Sequence, residues 1–229
     1  ENKFWKYIVG SIIIIFASFL GQIPLLMALL YETFVIGKPY PTNNEAVLRF
    51  FEPNLTLFLI LISFVFSMLG VVFVVRYLHH QTMLSITTSR DKVDWGRIRF
   101  SFSFWALFTI VSTLSFYHYN PNDFEINFKP VPFAILAVIG LLLIPIQTSS
   151  EEYIFRGYLM QGFGNLAKNK WFPLLMTSLI FGAMHISNPE VSKLGNIIMV
   201  YYIGTGLFLG VITLMDEGME LALGFHAAN

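Results

Sequence analysis

From Pro132 to Ile146 the chain is uncharged and apolar, and it then runs straight into Ser149-Ser150-Glu151-Glu152-Tyr153-Ile154-Phe155-Arg156-Gly157. That junction constrains the fold more than any other stretch. A segment so apolar belongs in lipid, where no water satisfies the backbone, so it must be helical or part of a closed barrel. Charge at that depth costs at least about 2.5 kcal/mol per group, so three ionisable side chains survive there only when paired, and they mark function.

The rest of the chain has the same character. Of its 229 residues 55% are hydrophobic and 12% charged, with a mean hydropathy of +0.66. Soluble domains carry about a quarter charged residues, so the expectation is an all-α polytopic membrane protein. Fourteen basic and fourteen acidic residues cancel, which leaves no electrostatic case for nucleic acid. The absence of cysteine removes disulfides, thiolate nucleophiles and Cys-bound metals. The chain begins at Glu1 without Met and stops at Asn229, so trimming at one or both ends is expected.

About seven transmembrane helices are expected in a single membrane-embedded domain, 1–229, whose chemistry-bearing core is about 131–229. The apolar runs are Ile8 to Leu30, Leu55 to Tyr77, Phe102 to Tyr119, Pro132 to Leu166, Trp171 to Ile186, Leu194 to Met215, and a last one from Gly218 that reaches the end of the chain. The first exceeds the roughly 7–15 apolar residues of a signal-peptide core and reads as a signal anchor. Residues 37–54, with Gly37, Pro39, Pro41 and Pro53, read as an extramembrane loop. The basic stretch His79 to Phe100 is compatible with a segment lying in the headgroup region or with a solvated loop. Pro145 cannot donate to the Leu141 carbonyl, which predicts a kink before Gln147. Nine Lys and Arg residues (Lys3, Lys6, Arg76, Arg90, Lys92, Arg97, Arg99, Lys168 and Lys170) fall on one side of the expected spans and four (Lys38, Arg49, Lys129 and Lys193) on the other. The expectation is a cell-membrane protein with a cytoplasmic N-terminus.

In the C-terminal half of the spans the ionisable side chains singled out are Glu151, Glu152, Arg156, His185 and His226. Glu152 and Arg156 are four apart in the favoured order for a helical ion pair, which leaves Glu151 free for proton chemistry. Glu151 lies 17 residues before Lys168 and His185 17 after it. In an antiparallel hairpin both then sit roughly 25 Å from the turn and face each other. A carboxylate opposite an imidazole can deprotonate a water. His226 and Asn229 add a second imidazole and an amide. The polar cavity is therefore expected between the fourth, fifth and seventh helices. His79, His80 and His118 read as structural hydrogen-bonders, and Phe155, Phe181, Gly204, Gly206 and Gly210 as packing residues. No H-E-x-x-H helix, G-x-S-G motif or intramembrane aspartate pair is present. A non-catalytic membrane scaffold or immunity protein that keeps the cluster for folding is the competing reading, and a proton-coupled transporter is disfavoured because no internal repeat is visible.

Glu151-Glu152-Tyr153-Ile154-Phe155-Arg156 resembles the E-E-x-x-x-R motif of the CAAX protease and bacteriocin-processing (Abi) family. Phe181-Gly182-Ala183-Met184-His185 resembles its F-x-x-x-H motif, and Gly224-Phe225-His226-Ala227-Ala228-Asn229 the start of its H-x-x-x-N motif. Residues 1–130 match only in being apolar. The family's Asn falls four after the last His, at position 230, so either the chain stops one residue short or Asn229 takes the role from the same face. The resemblance, which extends to the type II CAAX prenyl endopeptidase, implies a glutamate-dependent intramembrane endopeptidase whose cavity is reached from the cytoplasm. It implies that Glu151 and His185 activate a water, that His226 and the Asn meet the oxyanion, and that a membrane-associated peptide or protein is cut. No cofactor is expected, with zinc as the alternative that two Glu and two His could in principle hold. Glu151 is expected to be ionised near neutral pH.

Overall fold

The computed structural model describes residues 3–229. Its helices are α1 (Phe4–Phe34), α2 (Asn44–Leu48), α3 (Pro53–Phe73), α4 (Met83–Thr87), α5 (Trp95–Tyr119), α6 (Pro130–Glu152), α7 (Met160–Ala167), α8 (Trp171–Ala183), α9 (Pro189–Leu194), α10 (Ile198–Asp216) and α11 (Glu220–Ala228). Among the described residues the one β-type pairing is an isolated bridge between Thr88 and Gly218. The protein is thus an all-α polytopic membrane protein.

Among the described residues five stretches are long and apolar enough to cross a membrane: Phe4–Phe34, Pro53–Leu78, Trp95–Tyr119, Pro130–Ala167 and Ile198–Asp216. The expected count of seven is not confirmed: α8, Trp171–Ala183, has 13 residues and falls short of a full span. At about 1.5 Å per residue α8 extends only about 20 Å.

Element boundaries follow local chemistry. Pro53 and Pro130 occupy first-turn positions, where a missing N–H costs nothing. Asp94 caps α5, its Oδ1 accepting from the backbone N–H of Gly96 at 2.9 Å and of Arg97 at 3.3 Å. Lys168 and Glu217 end α7 and α10 in the left-handed conformation. α6 continues through Pro145, and a π-helical turn follows it over Tyr153–Leu159.

α1 packs along α3, α3 on α6, α8 on α10, and α11 on α5. At one end, Tyr7, Ile14, Val71, Val74, Val75, Ile86 and Tyr158 form a buried apolar cluster. His79 joins it, hydrogen-bonded to Tyr158 Oη at 3.0 Å and tilted against the Tyr7 ring, in the structural role expected of it. His80 and His118 lie at the surface.

The basic stretch, read either as a headgroup segment or as a solvated loop, turns part of its charge inward. Only Met83–Thr87 of its non-spanning part is helical, and α5 already begins at Trp95. Arg90 and Arg97 turn inward to Asp216 and Glu220. Composition cannot register partners more than 100 positions away.

Interhelical contacts sort the loops into two sets. Thr88 and Ser89 bond to 217–218, Arg90 pairs with Asp216, and Lys6 donates to the Leu78 carbonyl. At the other end Asn44 donates to the Ser187 carbonyl, Lys193 pairs with Glu45, and Asn54 donates to the Pro132 carbonyl.

Candidate active site

The Glu-Glu-x-x-x-Arg run straddles the change from α to π geometry. The π-helical turn closes with the Met160 N–H on the Phe155 carbonyl, five residues back. Such widened turns recur at functional sites because they re-aim side chains without ending the helix.

Glu152 is fully buried, and its Oε1 accepts from Arg156 Nη1 at 3.0 Å, the ion pair the sequence spacing anticipates. Arg156 Nη2 donates to the Gly206 carbonyl at 2.9 Å. α10 comes this close because Gly206 has no side chain, since a Cβ there would lie 3.0 Å from the Ser178 Cα of α8. The guanidinium also stands over the Phe181 ring, 4.7 Å from its centroid.

α11 brings His226 onto this pair. Nδ1 of His226 is 2.7 Å from the same Glu152 Oε1. A carboxylate accepts, so Nδ1 carries the proton and donates. Nε2 of the ring then points to Glu151, 3.6 Å from Oε2, longer than a hydrogen bond. Glu151 accepts from Gln147 Nε2 at 2.7 Å through its other oxygen.

His185 sits just past the end of α8. Its Nδ1 donates to the Phe181 carbonyl at 2.7 Å, which leaves Nε2 with its lone pair in the neutral ring. The imidazole stacks on Tyr202 with centroids 4.3 Å apart and lies within electrostatic range of Glu151.

Five of the six residues singled out therefore come together. Asn229 does not. Its Oδ1 accepts from Trp105 Nε1 at 3.0 Å, on the face of α11 that meets α5. Asn229 lies just past the last residue of α11, and its side chain engages Trp105 of α5 instead.

Ser150 Oγ, Glu152 Oε2 and Arg156 Nε are buried here without a hydrogen-bond partner. Among the described residues no three His, Cys, Asp or Glu form a group suited to a metal ion.

Some contributors were not visible as such in the sequence. Phe181, read as packing, touches Arg156, Phe155 and His226 at once. Gln147 could have been found, being one turn before Glu151. Tyr202 and the Gly206 carbonyl carry no local signal.

The family described as type II CAAX prenyl endopeptidase Rce1-like matches residues 129–229, the part that holds Glu151, Glu152, Arg156, His185 and His226. The uncharacterized protein YyaK of Bacillus subtilis (strain 168) is 32% identical over 230 residues, covering 100% of this chain and 76% of its own. No solved structure matches. With these matches over the site and over the whole chain, the protein belongs to the type II CAAX prenyl endopeptidase Rce1-like family.

Proposed function

We propose that the chain is a glutamate-dependent intramembrane endopeptidase that hydrolyses a peptide bond in a membrane-associated peptide or protein, in bacterial peptide maturation, bacteriocin immunity or CAAX-like processing. Glu151, helped by the Nε2 lone pair of His185, takes a proton from water as the water oxygen adds to the scissile carbonyl. His226, held by Glu152 and carrying a second proton on Nε2, donates to the oxyanion. On collapse the C–N bond breaks, and the proton taken up passes to the leaving amine.

The observation that carries this reading is the arrival of His226 from α11 between two adjacent carboxylates of α6, 2.7 Å from one and 3.6 Å from the other. One carboxylate orients the ring while the other faces it, which gives each a separate role.

No metal is proposed. A cation at this point would compete for oxygens already bonded to a guanidinium and an imidazole.

The test compares peptides released by membranes carrying wild-type protein with those carrying Glu151→Gln. Loss of general-base catalysis typically costs about 10²–10⁴-fold, so the products should vanish from the variant at equal protein abundance. Identical products from both membranes would favour the scaffold reading instead. Cleavage removed by a strong chelator and restored by zinc would overturn the metal-free mechanism.

A further inference from the structure

In the proposed reaction one carboxylate oxygen of Glu151 must meet the water, and nothing within a glutamate side chain fixes which. Its last torsion is broad and roughly two-fold, so an unpartnered carboxylate presents its oxygens over a wide range of directions. α6 supplies the missing constraint. Gln147 stands one turn before Glu151, at the spacing that brings helical side chains together, and its Nε2 donates to Glu151 Oε1 at 2.7 Å, the short end for an N–H donor. With Oε1 taken, Oε2 is the oxygen turned to His226, 3.6 Å from its Nε2.

The chemical type of this partner separates the two adjacent carboxylates. Glu152 is held through Oε1 by the Arg156 guanidinium at 3.0 Å and by His226 at 2.7 Å, which makes it a counter-charge. A cation on Glu151 would commit that carboxylate in the same way. A primary amide donates without carrying charge, so it sets the direction of the carboxylate and leaves it available as a base. Gln147 also stands out in its own segment. It interrupts an apolar stretch of the span Pro130–Ala167, where a polar side chain is costly and marks function.

Resting on the hydrolase reading, we propose that Gln147 is a positioning residue for the general base: it holds Oε1 of Glu151 so that Oε2 takes the proton from water.

Gln147→Met keeps the length and helix propensity of the side chain and removes the donor, so the variant should reach wild-type abundance. Misplacing a reacting group by about 1 Å costs about 10²-fold, so peptide release per folded molecule should fall by about 10-fold to 10²-fold. Thr148→Val is the control. Its buried hydroxyl donates to the Ile144 carbonyl of its own helix at 3.0 Å, and its loss should leave release as in wild type. A second readout does not depend on turnover. The infrared band of the Glu151 carboxyl, isolated as the difference between wild type and Glu151→Gln, should shift in Gln147→Met and stay in place in Thr148→Val. Wild-type release by Gln147→Met, an unmoved band, or an equal loss of release in Thr148→Val would overturn the proposal. Products indifferent to Glu151→Gln would remove the base and the proposal with it. That outcome is distinct from failure of the proposal alone, in which Glu151→Gln loses the products and Gln147→Met keeps them.

Discussion

Nδ1 of His226 lies 2.7 Å from Oε1 of Glu152, 74 positions away in the chain, and that single oxygen also takes Arg156. α11 is thereby fastened to α6 at the point where the chemistry is held. Removing one partner of a buried ion pair costs about 3–5 kcal/mol, because the other charge is left uncompensated. Arg156→Ala and Glu152→Ala should therefore both lower abundance in membranes and the melting temperature in detergent. Wild-type abundance and melting in Arg156→Ala would remove the structural role assigned to the pair.

His226 has two edges with different consequences. Glu152 keeps Arg156 when the imidazole is gone, so His226→Ala should remain folded. Loss of one preorganised oxyanion donor costs about 10²–10³-fold in rate. Peptide release per folded molecule should fall by that amount, and a rate within 3-fold of wild type would assign the oxyanion to another donor.

The core of the site was legible because its motifs are local. Glu152 and Arg156 are one turn apart, and the distances of Glu151 and His185 from Lys168 put them at equal depth without any tertiary information. His226 was recognisable as a participant, but its choice of Glu152 was not, since adjacent carboxylates differ only in helical direction and a π-helical turn alters that direction. The buried Glu220 and the inward-facing Arg90 were missed for a related reason. Each looks like loop chemistry until the partner, 130 positions distant, is in place. The count of spans was not legible from apolarity alone, which continues to Ile186 while the helix stops at Ala183.

His79 offers a pH dependence that does not involve the catalytic groups. Burial holds its imidazole below the ordinary value, with the Lys6 charge and His80 acting in the same direction, and Tyr158 and Tyr7 enclose the ring. A depressed folded value means that the stability is present above the unfolded value of about 6.5 and is lost as pH falls through the folded one. The melting temperature should drop on acidification below that value, and less steeply in His79→Gln. Parallel curves for the two proteins would show that His79 is not the group responsible.

At the other end of α11, Glu220 is fully buried in the helix's first turn, its Oε2 3.3 Å from Arg90 Nη1 and its Oε1 accepting from the Asp94 N–H at 3.2 Å. Arg90 also donates to the Asp216 carbonyl at 2.7 Å, and Arg97 pairs with the Asp216 carboxylate. Two guanidinium groups thus hold the α10–α11 connection against the start of α5. Gly218, between the two acids, has no room for a side chain, since a Cβ there would lie 2.7 Å from Arg90 Nη1. Arg90→Ala would leave Glu220 buried beside Asp216 without its counter-charge. The cost should be up to about 3 kcal/mol, the low end for buried pairs, because the Arg90 side chain is 28% exposed. Lysine is a single point charge that cannot reach Thr88, Asp216 and Glu220 together, so Arg90→Lys should recover only part of the loss. Lys92→Ala, an exposed change in the same loop, should melt as wild type does. Because α11 carries His226, peptide release should fall in Arg90→Ala by more than its abundance does. Release falling only in proportion to abundance would show that the clamp stabilises α11 without setting where His226 stands.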